Sequence, residues 1–363
     1  MLKTAGILGL TAAAAMTFGS IAEAASIKGN NITMRIGSGH PPFITYVKAA
    51  SKSFVPAVKK RVAAETKYKI DFKEHYAGTV VGVFDTLEGV QDGRLDIGAF
   101  CVCFDDDKAM AMNLTYYVPF HEPDAIKNQK IFYELVKKHP SLQQDYSKRY
   151  KQTLIGIAGF NNYGILSSFD WKKFEDLKGR KILAAGPNLP WIVGGGIPVR
   201  MTIPKAAQQM QTGVGEAVIL FPDTDFKLKL HEAIKGGGFY TVTDFGAVVQ
   251  INLNMNNKTR KKLPPEVLKI IDEEGIKYGL TGAKWSQKDH QWGLDQLAKA
   301  GTKVRNIDPA AKVAWAQKLA AWPNEKAQAV KKKKKIDMPA IMRDYIKMSE
   351  AGGHKFPIDY VIK

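Results

Sequence analysis

A strand pattern that recurs between helices constrains the fold most. Residues 95–104, LDIGAFCVCF, are almost entirely apolar, which is typical of a strand covered on both faces of a sheet. Before it, residues 32–37 and 69–76 alternate apolar and polar side chains like strands. An amphipathic helix is predicted at about residues 46–65, and a second helix stops near residue 92. This β-α-β-α-β order predicts a mostly parallel sheet with helices on both faces.

A second series of predicted elements begins near Thr153. Strands are predicted at residues 153–160, 165–168, 181–185, 198–202 and 215–221. Residues 245–255, FGAVVQINLNM, are predicted to form one strand that returns to the first lobe. A long helix follows from Pro265 to about Ala300, interrupted only by glycines.

Two α/β lobes with more than one crossing predict a hinged binding protein with a cleft between the lobes. We expect lobe I to comprise residues 26–163 and 247–285. Lobe II is expected to comprise residues 164–246 and 286–363, with a C-terminal helical tail. Neither the length of 363 residues nor the repeated pattern favours a single small core.

The first residues predict an export signal. Lys3 precedes an Ala-rich apolar stretch, and the small residues Ala22-Glu23-Ala24 suit signal peptidase. A membrane anchor is disfavoured, because the apolar stretch is too short to span the ~30 Å of hydrocarbon in a bilayer. We therefore predict a cleaved signal peptide over residues 1–25 and a periplasmic mature protein.

The chain carries 53 Lys and Arg against 35 Asp and Glu, a formal net charge of +18. This excess and the run Lys331–Lys335 suggest nucleic-acid binding as one interpretation. The basic residues are scattered among helices, however, and no nucleic-acid motif accompanies them. We expect no nucleic-acid partner and a solvated lysine face, with a general attraction for anions or anionic lipid headgroups.

The residues give no sign of catalysis or metal binding. The seven histidines are spread singly, GxSxG is absent, and no set of nucleophile, base and acid emerges. Cys101 and Cys103 leave a strained disulfide or two buried thiols open, and the strand geometry favours thiols. We expect no enzyme activity, no cofactor and no metal.

Specific segments carry a family resemblance. QDGRLDIG, VPF, FEDLKGRKI, IPVRMTIPKAAQQMQTGV and HEAIK follow one another in this order. Together, over about residues 32–330, they resemble the substrate-binding subunits of tripartite ATP-independent periplasmic (TRAP) transporters, the DctP family. The resemblance implies a two-lobe, type II-like periplasmic binding protein. Each lobe would hold a mixed sheet flanked by helices, and a long helix would bridge both.

The resemblance also implies one small-molecule solute, bound in the cleft and delivered to small and large integral membrane subunits driven by an ion gradient. We expect a monomer. Most relatives bind organic acids through an arginine that follows the DLKGxKI strand, and the matching residue here is Leu183. Two further polar family positions fall near Leu166 and Ile219.

Two interpretations of Leu183 stay open. In one, another cation, such as Arg200 or Lys205, takes the carboxylate, and the protein is an ordinary C4-dicarboxylate or organic-acid binder. In the other, which we favour, the cleft selects an aromatic or weakly charged organic acid. Leucine at this position removes a bidentate arginine contact worth about 1.5–3 kcal/mol, so a carboxylate would lack its main favourable contact. A binding protein of an ATP-driven (ABC-type) importer would share the fold.

Candidate ligand contacts lie in loops at predicted strand ends, at residues 40–43, 78–83, 104–107, 161–164, 185–191 and 221–225. Aromatic side chains there can stack on a flat solute, and amides, a histidine or a carboxylate can bind its polar groups. We expect Trp191 to follow an inward-pointing helix N-terminus, and Asp105–Asp107 to begin a solvated helix. The candidates are His40, Phe43, Tyr76, Phe104, Asn161, Asn162, Tyr163, Leu183, Asn188, Trp191, Phe221 and Asp223.

Overall fold

Two separate sheets organise the chain. The computed structural model describes residues 25–249 and 251–363, so the expected signal peptide lies outside the described residues except for Ala25. The strands are β1 Ser26–Lys28, β2 Asn31–Gly37, β3 Lys69–His75, β4 Ile97–Cys101, β5 Gln152–Ala158, β6 Asn162–Ser167, β7 Lys181–Ala184, β8 Ile197–Arg200, β9 Ala217–Leu220, β10 Phe239–Ala247, β11 Ile251–Asn256 and β12 Lys303–Asn306.

Helices surround both sheets. They are α1 Thr45–Ala49, α2 Val55–Glu65, α3 Thr86–Gln91, α4 Leu114–Tyr117, α5 Ala125–Lys138, α6 Gln144–Lys148, α7 Ile203–Gln211, α8 Pro222–Lys227, α9 Asn257–Lys262, α10 Pro265–Lys299, α11 Pro309–Lys318, α12 Trp322–Lys334 and α13 Met338–Ala351. One π-helical turn, Ala50–Phe54, joins α1 to α2, so the predicted helix near residues 46–65 forms with a local widening.

The first sheet has the order β1-β2-β4-β11-β5, with β3 also paired to β2. The second has the order β12-β10-β6-β9-β7-β8. Both are mixed: β2 runs parallel to β3 and β4, whereas β11 runs antiparallel to both of its neighbours. In the second sheet β7 is parallel to β8 and β9, and β6 is antiparallel to β9 and β10. The expected two-lobe α/β fold is confirmed, and we name each lobe by its sheet.

Three chain segments cross between the sheets: from β5 to β6, from β10 to β11, and from β11 through α9 and α10 to β12. The single strand predicted over residues 245–255 is wrong: β10 ends at Ala247 in the second sheet, and β11 begins at Ile251 in the first. A glycine lies near the end of β10. Gly246 has φ +114°, and a Cβ there would lie 2.4 Å from the ring of His121, so the irregular pairing of β10 with β6 falls where no larger residue would fit.

The apolar run at residues 95–104 is shorter as a strand than predicted. β4 ends at Cys101, and residues Val102–Phe104 form one 3₁₀ turn. This turn brings the Cα atoms of Cys101 and Cys103 to 5.1 Å, and the two residues form a disulfide. The thiol interpretation is therefore corrected, because it assumed an extended strand, which would hold the two Cα atoms about 6.6 Å apart.

Helix α10 joins the two lobes. Its 35 residues correspond to a length of about 52 Å, and it contacts β5 and α1 of the first lobe and α8 of the second. The glycines do not interrupt it; a Cβ on Gly275 or Gly279 would lie 2.0 Å from a carbonyl oxygen of β5. They let the helix approach the sheet closely. Within the described chain, no helix combines the length and apolarity that a membrane span requires.

Two charged segments expected to be solvated are partly buried. Lys334, within the lysine run of α12, is only 8% exposed; its ammonium donates to the carbonyl oxygen of Lys108 and pairs with Asp145 at 3.2 Å. Asp105 is 2% exposed and pairs with Lys108 at 3.0 Å, and burial raises the pKa of its carboxyl to about 6. The expected solvation holds for Lys331–Lys333, which are exposed.

Candidate ligand-binding site

A narrow pocket opens between the two sheets. Its free space, including the mouth, is about 480 Å³. Both lobes line it, the first through β4 and β11 and the second through β6 and β9. The lining residues are His40, Ile44, Tyr46, Cys101, Cys103, Phe104, Tyr116, Phe160, Tyr163, Ala185, Met201, Thr202, Ile203, Leu220, Phe221 and Ile251.

Five of the six predicted loops supply one residue each to this pocket, and residues 78–83 supply none. The contributing residues are His40, Phe104, Tyr163, Ala185 and Phe221. Open α/β sheets gather the loops at the carboxyl ends of their strands, which is why strand order alone located these segments. Tyr163 differs in one respect: it lies within β6 rather than in a loop.

Eight of the twelve candidates lie outside this pocket, and four of these are buried in the packing around it. Leu183 is fully buried in β7, with its side chain against Gly215. Trp191 is also fully buried, and its indole N–H donates to the carbonyl oxygen of Tyr116 at 3.0 Å. Only one 3₁₀ turn, Leu189–Trp191, forms there, so the expected helix N-terminus is absent. Asn188 is completely buried, and Tyr76 is 9% exposed.

The remaining candidates belong to other surroundings. The Asn161 amide donates to Asp223 at 2.5 Å, and the Asn162 amide donates to Asp244 at 2.9 Å. Asp223 also pairs with Lys227 at 2.9 Å, and burial raises the pKa of its carboxyl against the opposing effect of that lysine. Phe43 is 46% exposed and lines a separate surface groove.

Aromatic rings form one wall of the pocket. The ring of Phe221 lies 4.2 Å from that of Tyr163 and 4.6 Å from that of Phe160, measured between centroids. His40 lies 5.4 Å from Phe104 across the opening. Offset and edge-to-face contacts at these distances are favourable. The wall offers ring faces and edges to a flat solute.

The polar groups of the pocket are few and mostly paired with each other. The hydroxyls of Tyr116 and Tyr163 are 2.8 Å apart, and burial raises the pKa of both. Nδ1 of His40 is 2.6 Å from the Tyr46 hydroxyl, whereas its Nε2 has no hydrogen-bond partner among the described residues. Burial lowers the pKa of His40 to about 4, so the ring is neutral near pH 7. Nε2 is therefore a buried polar atom of the lining that is free to bind a solute.

One cation stands at the rim. Arg200 ends β8, next to Met201 in the lining, and it is exposed. A methyl group added to Gly186 would lie 3.4 Å from Nη1 of Arg200 and 3.4 Å from the carbonyl oxygen of Cys103. In the described part of the chain, the guanidinium has no ion pair. Lys205 is exposed on α7 and does not line the pocket.

Sequence reasoning missed several lining residues. Tyr116 follows no predicted strand end, and its position depends on how distant segments cover one another. Phe160 and Thr202 carried a usable signal, because each ends a predicted strand, and both lie just beyond the strands that form, β5 and β8. Among the described residues, no group of three or more His, Cys, Asp or Glu could hold a metal ion.

Solved structures share this architecture. A TRAP solute-binding protein from Rhodoferax ferrireducens in complex with benzoate matches with a TM-score of 0.74 at 16% identity, covering 88% of this chain and 98% of that one. A Bordetella pertussis extracytoplasmic solute receptor that binds pyroglutamic acid matches with a TM-score of 0.72 at 21% identity, covering 87% and 99%. At these identities the likeness concerns the fold.

A third similar structure, from a Sulfitobacter species, holds β-D-galacturonate; its TM-score is 0.71 at 19% identity, with 87% and 99% of the chains covered. The bound solutes of the three proteins therefore differ in size, ring type and polarity. The model of the DctP family, described as bacterial extracellular solute-binding protein, family 7, matches residues 44–328, most of the chain. This protein belongs to the DctP family of TRAP solute-binding proteins.

Proposed function

We propose that this protein is exported to the periplasm, captures a small aromatic monocarboxylic acid, and delivers it to the membrane subunits of a TRAP transporter. The observation that carries the solute class is the lining itself, in which mostly apolar and aromatic side chains surround a buried polar atom without a hydrogen-bond partner among the described residues, Nε2 of His40. Family membership and the sequence of residues 1–25 support export and delivery.

The solute ring would lie against Phe221 and Tyr163, which already form the aromatic wall. Tyr46 would donate its hydroxyl proton to Nδ1 of His40, leaving Nε2–H to donate to an oxygen of the solute. The carboxylate would point towards Arg200 at the rim. There a charged hydrogen bond replaces the arginine that the family places at the position of Leu183.

The same lining disfavours a C4-dicarboxylate. One carboxylate could reach Arg200, but the second would lie among apolar side chains with no cation near it. Leaving a carboxylate desolvated and unpaired is costly. Arg200 beside the pocket is the observation in favour of the ordinary organic-acid binder, and the lack of any Lys or Arg in the described lining is the observation against it.

A thermal-shift panel on the mature protein tests the solute class. Benzoate is expected to raise the melting temperature, since a ligand at a hundred times its Kd stabilises by about 2.7 kcal/mol. Benzamide has the same ring without the carboxylate, so its comparison with benzoate tests the contribution of the carboxylate to binding. Succinate tests the alternative that the solute is a dicarboxylate. Stabilisation by succinate and not by benzoate would contradict the proposed solute class.

Delivery requires a separate measurement. Uptake of radiolabelled benzoate is compared in cells with and without the transporter's membrane subunits, with this protein present in both. We expect uptake only when the subunits are present. Equal accumulation without them would show that the protein serves another process.

Size-exclusion chromatography with light scattering tests the expectation that the protein is a monomer.

A further inference from the structure

A second concave surface lies outside the solute pocket and shares no lining residue with it. It is an open groove of about 960 Å³, counted to its mouth. We call it the basic groove, lined by Phe43, Lys48, Lys52, Lys227, Lys288 and Trp292. Its residues come from the loop before α1, from α1 and the turn after it, from α8, and from the second half of α10.

The groove has a net positive charge. Lys48, Lys52 and Lys288 are exposed, and no acidic side chain of the described chain pairs with them. Lys227 forms ion pairs with Asp223 at 2.9 Å and with Asp289 at 3.3 Å. Asp289 is the one acidic residue of the lining, and its charge is already compensated. Three lysines are therefore left to attract an anionic partner.

Aromatic side chains accompany this charge. Phe43 is 46% exposed and Trp292 is 39% exposed. The ammonium group of Lys227 lies 5.5 Å from the ring centre of Trp292, a distance suited to a cation–π contact. Large, partly exposed rings beside exposed lysines are features of protein interaction surfaces.

The groove depends on both lobes. Asp289 of α10 accepts a hydrogen bond from the hydroxyl of Thr45 on α1, at 2.8 Å, and pairs with Lys227 of α8. Thr45 lies on the first-lobe side and Lys227 on the second. A change in the angle between the lobes would therefore move Lys48 and Lys52 relative to Lys227.

We infer that the basic groove is a docking site for an acidic segment of a partner protein, with an apolar side chain seated between Phe43 and Trp292. Charge complementarity selects an anionic occupant, and the concave shape selects a chain segment. A flat bilayer would meet Lys48, Lys52 and Lys288 but could not enter the recess beside Lys227. A small solute would stay largely exposed in so open a groove.

The inference rests on the proposed function in one respect: solute is taken to hold the lobes as seen here, so solute should strengthen docking. Within a TRAP system, the partner would be an acidic, periplasm-facing segment of a membrane subunit. A partner that contacts both lobes would bind the solute-loaded protein more tightly than the empty protein.

The test uses a fluorescein-labelled peptide of Glu and Asp with one Phe and one Leu, and the mature full-length chain. Fluorescence anisotropy should show salt-sensitive binding. The variant Lys48→Glu/Lys52→Glu is expected to weaken it by about tenfold or more, because rim charges now repel the peptide. The matched control Lys130→Glu/Lys332→Glu changes the net charge equally at exposed, unpaired lysines of α5 and α12, and should change binding less than about twofold.

Three results would overturn the inference. The first is equal weakening in both double variants, and the second is unchanged binding after Trp292→Ala. The third is that the protein does not bind the peptide but sediments with phosphatidylglycerol vesicles. The last would identify a membrane surface instead. A further arm adds benzoate, which should tighten peptide binding. If benzoate has no effect in any assay but the peptide still distinguishes the two double variants, the solute proposal fails and the docking site stands.

Discussion

The solute pocket and the basic groove are neighbours with opposite chemistry. Two consecutive residues line different sites: Phe43 lines the groove, and Ile44 lines the pocket. The pocket collects buried rings and keeps its one free nitrogen neutral, whereas the groove collects exposed rings and unpaired ammonium groups. The interface between the lobes thus has two different surfaces, an enclosed one lined by aromatic and apolar side chains and an open one lined by lysines.

The difference also explains what an aromatic residue does in each place. Trp191 is fully buried and stacks on Phe245 with ring centres 4.8 Å apart. Trp292 is partly exposed over a lysine. The first ring supports the wall of the pocket from behind, and the second is available to a partner.

The largest expected effect tests this contrast directly. Trp191→Ala should lower the free energy of unfolding by about 3–5 kcal/mol, because it leaves a cavity in the core. Trp292→Ala, the matched control, should change it by no more than about 0.5 kcal/mol. Urea unfolding of both variants gives the comparison. Similar losses in both would show that Trp292 is structural and not a contact surface.

Restoring the family arginine should be nearly as damaging. Leu183→Arg would place a guanidinium in a fully buried site against Gly215. We expect a loss of about 3 kcal/mol or more in unfolding free energy, since the charge has no partner there. Leu183→Met should cost less than about 1.5 kcal/mol. A stable Leu183→Arg protein that binds succinate would show that this position can open onto the pocket.

The neutral imidazole of the pocket predicts a pH dependence. The folded protein lowers the pKa of His40 from 6.5 to about 4, so between these values the unfolded chain binds more protons. The contribution of His40 to the free energy of unfolding is fully present above pH 6.5. It decreases as the pH is lowered, by up to about 3 kcal/mol near pH 4. His40→Gln should lose less stability over this window than the unmodified protein. The buried His121 and His290, whose pKa values are also lowered, remain in both proteins, so the difference isolates His40. If urea unfolding gave parallel pH profiles of stability for His40→Gln and the unmodified protein, the predicted role of His40 would be contradicted.

The smallest effect concerns the rim of the pocket. Arg200→Ala should weaken benzoate binding by about tenfold, as expected for one exposed charged hydrogen bond. Lys205→Ala is the control, because Lys205 is exposed on the neighbouring helix, whereas Arg200 directly precedes Met201 of the lining. Isothermal titration at fixed salt measures both. An equal loss in both variants would mean that general positive charge, and not Arg200, attracts the carboxylate.

Local sequence pattern determined the order of strands and helices and, through it, the loops that surround the pocket. Alternation in residues 69–76 and the apolar run before Cys101 are set by side-chain spacing along a strand. His40, Phe104 and Phe221 follow from that order, because the ends of sheet strands lie together. The scaffold motifs around DLKGRKI were sufficient to identify the family.

Only the tertiary structure decided which of these residues another segment covers. Trp191 and Leu183 lie in loops and strands that the pattern placed correctly, yet packing from Phe245 and Gly215 removes them from the pocket. The basic groove is likewise invisible in the sequence, where Lys48, Lys227 and Lys288 are far apart. Local periodicity fixes the direction of a side chain relative to its own element, but what lies opposite that side chain depends on contacts between residues distant in the chain.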